Sequence, residues 1–308
     1  MHRLRTYSLG PWSVLLQQDT TRMIHKNVRC RPILQELVVC SNQEMTWLNQ
    51  DDEEEVEKLL QAFNEVHGNS DETHVSALHN HKNYWSIIVD KKILEAVKTL
   101  ADDPDIFYLY NSQATISRKN NNIWPHHEWH RDSACRLFGI GPDWDKNERY
   151  KVMRVGIYLS ADTDSGLNVI AESHNKKYTL SGLLRLLQYK LKGSTFKPIV
   201  MLRVLLSKFI GKNIKTNKGD MIIFLANLFH SGIPTDKERA ALFLSYGPND
   251  KHSKNYVNYY MKHRKGFEFK DEKTQKEFSE AMKKTNNHFP LPEKKDEVKG
   301  FSVPLIDR

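Results

Sequence analysis

The tripeptide His130-Arg131-Asp132 carries the clearest chemistry in the chain. Side chains alternate along an extended strand, so its first and third positions share a face. A neutral imidazole and a carboxylate placed that way are two corners of a facial metal site, and a second histidine must complete it. The candidate is His230, in which the apolar run MIIFLANLF ends. Two histidines and one carboxylate leave open positions on an octahedral ion, the donor set of non-haem Fe(II) centres. Nine residues further on, Arg239 opens the strand-like run RAALFLSYG. A fixed guanidinium there can hold a carboxylate through two parallel hydrogen bonds.

Several neighbours compete for roles. HEWH (127–130) is one residue short of the zinc-protease pattern H-E-x-x-H, so its histidines do not fall at i and i+4 of a helix. His126 and Glu128 form a second His/carboxylate pair beside Pro125, read as loop or supporting residues. His127, Trp129 and Arg118 are candidates for a substrate pocket. Against that, Trp129 suits core packing on the opposite strand face, and Arg118 suits solvation at a strand end. Arg239, in turn, has Asp236 and Glu238 as alternative partners.

The elements that must position these residues are mostly strands. LVVC (37–40) reads as a short strand, and residues 105–119 as one longer strand. YKVMRVGIYLSA, LNVIAES, MIIFLAN and AALFLSYG read as further strands, with turns at Asp162–Gly166 and Gly232–Pro234. Asp51 is placed to cap a helix carrying Val56, Leu59, Leu60 and Phe63, and Asp90 a second one with Ile93, Leu94, Val97 and Leu100 inward. Short strands joined by short connections favour a β-sandwich or barrel.

In this order, with Gly219-Asp220 and Phe224 ahead of the distal histidine, the residues resemble the Fe(II)/2-oxoglutarate dioxygenases, specifically the phytanoyl-CoA dioxygenase-like group. Residues 154–177 are similar to that group's strand, turn and Ser-His segment, through Gly166, Leu167, Val169, Ser173 and His174. Ala171-Glu172 replaces the group's Pro-Gly pair. The resemblance covers about residues 85–250. It implies a mainly β fold with flanking helices, whose core is a double-stranded β-helix (a jelly roll, cupin-like). It implies Fe(II) on His130, Asp132 and His230, and Arg239 holding the distal carboxylate of 2-oxoglutarate. O2 is then consumed, succinate and CO2 are released, and a small-molecule substrate is hydroxylated, desaturated or cyclised. With Asp132 in the carboxylate position, no place remains for a halide. A JmjC-type protein hydroxylase and a non-catalytic jelly-roll binding module are the alternative readings.

At 308 residues, 39% hydrophobic and 27% charged, the chain reads as one soluble oxygenase domain over 1–308. It has no apolar run long enough to span a bilayer and no secretory cleavage pattern, so the expected location is cytoplasmic. Three scattered cysteines, Cys30, Cys40 and Cys135, make no disulfide framework. The net charge of +8 is local: eleven of 46 basic residues fall in 175–218, which has no acid, and the other 35 face 38 acidic residues. That distribution argues against a nucleic-acid surface. Leu180, Leu183, Leu184, Leu187 and Leu191 share a helical face, so the block reads as a basic helical insertion over the barrel mouth. Three roles stay open for it: solvated packing, a lid over an anionic substrate, or a peripheral membrane contact. The tail from 262 to 308 is lysine-rich, with an amphipathic patch at Phe278, Ala281 and Met282.

Overall fold

The computed structural model describes residues 30–34, 37–40, 57–61, 63–65, 72–117, 130–132, 150–159, 166–171, 173–175, 211–233, 239–263 and 268–285. Its organising strand is β11 (Arg239–Pro248), buried along almost its whole length. In chain order the other strands are β1 (Cys30–Leu34), β2 (Leu37–Cys40), β3 (Glu72–Ser76), β4 (Ile106–Tyr108), β5 (Gln113–Ser117) and β6 (Met153–Tyr158). They continue with β7 (Gly166–Val169), β8 (Lys212–Lys215), β9 (Met221–Leu225) and β10 (His230–Gly232). The larger sheet runs β1-β2-β9-β6-β11-β5-β3, with β4 also on β11, and a smaller sheet runs β10-β7-β8. Every pairing is antiparallel. Two antiparallel sheets with helices alongside make a jelly-roll-like architecture.

Register divides the larger sheet into two faces, because residues directly opposite each other point the same way. Ala241, Phe243 and Ser245 lie opposite Tyr158, Gly156 and Arg154, and the last two lie opposite Ile222 and Phe224. This face meets the smaller sheet: Tyr158, Ile222, Phe224, Ala241 and Phe243 form one buried cluster with Leu167, Val169 and Ile214. The other face, with Val155, Ile157, Ile223, Leu242 and Leu244, packs on the helices α1 (Lys91–Ala101) and α3 (Glu272–Lys283) through Ile93, Val97, Phe278 and Met282. A third cluster seats α2 (Lys251–His263), through Tyr256, Val257 and Tyr260, on Leu109, Tyr110 and Val152.

Local expectations hold where a cap or a periodicity carried them. Asp90 caps α1, accepting from the backbone N–H of Lys92 (2.8 Å) and Ile93 (2.9 Å). Leu59 and Phe63 are buried from helical residues 57–61 and 63–65, and β2 is the strand expected at 37–40. Elsewhere the fold corrects the sequence. The one strand expected over 105–119 is, in its described part to 117, the two strands β4 and β5, because Asn111 and Ser112 turn to other partners. Asn111 Nδ2 donates to the Tyr256 hydroxyl (2.6 Å), and Ser112 Oγ accepts from Leu78 N (3.0 Å). The strand expected over 167–173 ends at Val169, where Ile170 N donates to Phe229 O (3.0 Å) and a turn begins. Gly166 has φ +141°, and a Cβ there would lie 2.0 Å from the Ile214 carbonyl oxygen, so a side chain would push β8 away. The amphipathic patch at Phe278 and Met282 is helix α3, and both side chains are buried in the main core. Most of the basic segment, residues 176–210, lies outside the described residues, as do Val56 and the Asp51 cap.

Candidate metal centre

His130 and His230 meet across an isolated antiparallel bridge, in which each backbone N–H donates to the other's carbonyl (2.8 and 2.9 Å). The bridge sets the two imidazoles side by side, with ring centroids 4.3 Å apart. The H-x-D segment is not a regular strand: after His130 the chain bends at Asp132, whose N–H donates to Ala226 O (2.8 Å). The bend still brings the carboxylate to the same place. Asp132 Oδ1 lies 3.5 Å from His130 Nε2, and Oδ2 lies 3.6 Å from His230 Nε2. One donor atom from each of the three residues falls within 4.8 Å of the others, the one such group among the described residues. The His130 side chain is 31% exposed against 11% for Asp132 and 5% for His230, so the centre opens on the His130 side.

The residue between the ligands holds the bend. Arg131 turns away into the protein, where Nε donates to Asn227 O (2.9 Å) and Nη2 to Ser173 O (3.0 Å), with its guanidinium over the Phe229 ring. Ser173 Oγ accepts from Phe229 N (2.8 Å), which ties the Ser173-His174 turn to the approach to His230. His230 Nδ1 faces Leu228 O at 3.0 Å. The tautomer that donates there leaves Nε2 as the lone-pair nitrogen for a metal. Burial first, and then the neighbouring His130, lower the His230 pKa to about 3, so the ring stays neutral. Burial alone would raise the Asp132 carboxyl, but Arg154, then His130 and His230, hold it well below the usual range. Both side chains are therefore in the protonation state a metal would require.

Arg154 and Tyr158 were not singled out in the sequence, although an arginine inside the apolar strand VMRVGIY was a visible signal. Arg154 is fully buried, and its Nε forms an ion pair with Asp132 Oδ2 at 2.9 Å. Phe224 packs edge-on against the His230 ring (4.7 Å between centroids), and Phe243 lies beneath the Arg154 guanidinium (5.6 Å). Gly156 makes room for that phenyl: a Cβ there would meet Phe243 Cε1 at 3.0 Å.

Arg239 sits on the same inward face of β11 as Ala241 and Phe243. The residue as a whole is partly exposed, yet its Nη1 is buried without a hydrogen-bond partner, and burial lowers the guanidinium pKa. The Tyr158 hydroxyl, within electrostatic reach, is also buried and without a hydrogen-bond partner, its pKa pushed up to about 12 by burial against the opposing pull of Arg239. A buried donor left without a partner is costly, so this pair marks a place where an acceptor belongs. A carboxylate fits it, and the two-histidine, one-carboxylate set fits a divalent metal of the Fe(II) kind. Of the other sites expected, Arg118, His127 and Trp129 lie outside the described residues.

No family model and no curated protein matches the chain. Solved structures do. HygX from Streptomyces hygroscopicus, with nickel and 2-oxoglutarate bound, superimposes with TM-score 0.50 at 15% identity, over 70% of this chain and 83% of that one. EctD from S. alaskensis (16% identity, 69% and 72% covered, TM-score 0.46) aligns less closely. So does the carbocyclase SnoK of nogalamycin biosynthesis (14%, 70% and 80%, TM-score 0.45). At these identities the likeness to HygX is one of fold. No helix among the described residues is long and apolar enough to cross a membrane.

Proposed function

We propose that the protein is an Fe(II)- and 2-oxoglutarate-dependent oxygenase that hydroxylates, desaturates or cyclises a small anionic metabolite. The observation that carries this reading is the convergence of His130, Asp132 and His230, with the buried Arg239 Nη1, which has no hydrogen-bond partner, on the same inner sheet surface. His130, Asp132 and His230 would hold the iron, and Arg239 with Tyr158 would take the distal carboxylate of 2-oxoglutarate. HygX, which shares the fold, holds nickel and 2-oxoglutarate. The chemistry supplied by the bound iron is activation of O2: 2-oxoglutarate goes to succinate and CO2, with one oxygen atom in succinate and the other inserted into a substrate C–H bond in the hydroxylating case.

The chain's own residues do the positioning. The backbone bridge fixes the two imidazoles, and Leu228 O fixes which His230 nitrogen is free. Phe224 and Phe243 wall the inner side and keep water from it, so the polar contacts there act in a low dielectric. Arg239 and Tyr158 orient a dicarboxylate whose other end reaches the metal. Eleven basic residues without an acid between 175 and 218 support an anionic substrate. The test is succinate release from 2-oxoglutarate with Fe(II), followed by a mass-shift screen that begins with carboxylated, phosphorylated and acyl-thioester metabolites. His130→Ala should abolish succinate formation in a folded protein. Wild-type-like succinate from that variant would sink the assignment.

A further inference from the structure

Arg154 is a second buried guanidinium on the inner sheet surface, and unlike Arg239 it is held by other groups. Its Nη1 donates to Asn111 O (2.7 Å) and to Ser245 Oγ (2.8 Å). Ser245 Oγ donates to the same Asn111 oxygen (2.7 Å) and lies 2.9 Å from the Tyr256 hydroxyl on α2, to which Asn111 Nδ2 donates (2.6 Å). The head group is thus locked from behind by β11, the Asn111 turn and a helix. Its free edge is the Nε side, which stands 2.9 Å from Asp132 Oδ2.

A carboxylate beside a metal can bind through one oxygen or through both, and the second mode takes up a coordination position. Burial removes water as a partner for the outer oxygen, so another group must occupy it. We propose that Arg154 is a positioning residue acting through Asp132: its cation, 2.9 Å from Oδ2, competes for the oxygen that also faces His230 Nε2 at 3.6 Å, so that Oδ1, 3.5 Å from His130 Nε2, alone serves the metal. Three positions of an octahedral ion then stay open for cosubstrate and O2. The network makes that constraint rigid, since moving Arg154 would break its bonds to Asn111 O and to Ser245 Oγ, both groups on residues that Tyr256 on α2 holds in turn. This inference rests on the metal-centre reading given above.

The experiment counts waters on the metal. With Mn(II) as the probe, proton relaxation of the wild-type complex should report about three exchangeable waters, six positions less three protein ligands. Arg154→Met frees Oδ2 to bind as well, and the count should fall by about a third. Arg154→Lys should restore the wild-type count. A purely structural role for Arg154 would lower thermal stability in the methionine variant and leave the count unchanged, and that result overturns the proposal. A wild-type count of two overturns it as well, and that measurement needs no variant to fold. If Mn(II) relaxation is the same in wild type and His130→Ala, the metal-centre reading fails and takes this inference with it. A site that binds Mn(II) with a count indifferent to Arg154 refutes this inference alone.

Discussion

Replacing Arg239 with methionine separates a binding guanidinium from a packing one, because the two roles predict opposite signs. In the ligand-free protein Arg239 keeps Nη1 buried without a hydrogen-bond partner. A buried donor in that state costs about 1–3 kcal/mol, and the lower end applies because the residue as a whole keeps some exposure. Methionine fills much of the same volume with an apolar, adaptable side chain. Arg239→Met should therefore raise the melting temperature of the ligand-free protein by a few degrees, as expected for about 1 kcal/mol in a chain of this size. Binding should move the other way. Losing one member of a partly desolvated charge pair costs about 2–5 kcal/mol, which weakens 2-oxoglutarate by about 30-fold or more. The assay is thermal shift of the Mn(II) form across a 2-oxoglutarate titration, run without O2 so that nothing turns over. Wild type should gain stability with ligand, and the variant should start higher and gain little. A variant that starts lower and still binds 2-oxoglutarate with wild-type affinity would refute the reasoning, because Arg239 would then be a packing residue.

Three further outcomes are expected. His230→Ala should lose Mn(II) binding while keeping its far-UV circular dichroism, since the backbone bridge to His130 that holds this residue does not need its side chain; a variant that binds Mn(II) as wild type does excludes His230 as a ligand. The folded His230 pKa of about 3 lies below its ordinary 6.5, so the unfolded chain takes up the proton first and stability is lost as pH falls from about 6.5 toward 3. Urea unfolding of the metal-free protein should show about 2 kcal/mol lost between pH 6.5 and 5, and a slope just as steep in His230→Gln would assign it elsewhere. On α1, Asp90→Ala should cost about 1 kcal/mol through the lost cap, whereas Asp102→Gly should stabilise by about 0.5–1 kcal/mol, because Asp102 ends the helix at φ 53°; equal and opposite shifts in a chemical-denaturation series would reverse both assignments.

The candidate triad was legible in the sequence because a metal demands particular atoms, and those atoms come from few residue types. Histidine and aspartate two apart, with a histidine at the end of an apolar run, are unusual enough to stand out. What held them was less legible. The period-two argument placed His130 and Asp132 on one face of a strand, and the structure reaches the same convergence through one backbone bridge and a bend. The bend depends on Arg131 reaching Asn227 and Ser173, partners 96 and 42 residues away. No local pattern announces such a contact. The single strand expected over 105–119 failed for a related reason: Asn111 and Ser112 fit an alternating pattern, and their actual partners, Tyr256 and Leu78, lie on other elements. Helix α1 needed no distant partner for its cap, and its sequence reading held.

The two inward-facing arginines show what the fold adds to the composition. As letters, Arg154 and Arg239 are alike: each sits in an apolar strand, and each invites the bland reading of a stem packed on the core with its head in water. Register puts both on the surface that faces the smaller sheet, six residues apart along β11, counting from Ser245 opposite Arg154. Their partners then separate them. Arg154 has a carboxylate of the protein itself 2.9 Å from Nε and acceptors behind it on Nη1, so its charge is met within the chain. Arg239 has a buried donor with nothing to receive its proton, next to a tyrosine hydroxyl in the same condition. A buried donor without an acceptor is costly, so the protein alone does not account for it. An acceptor for that donor is what the proposed dicarboxylate cosubstrate would bring, so under the proposal the first of these arginines supports the centre and the second meets its ligand.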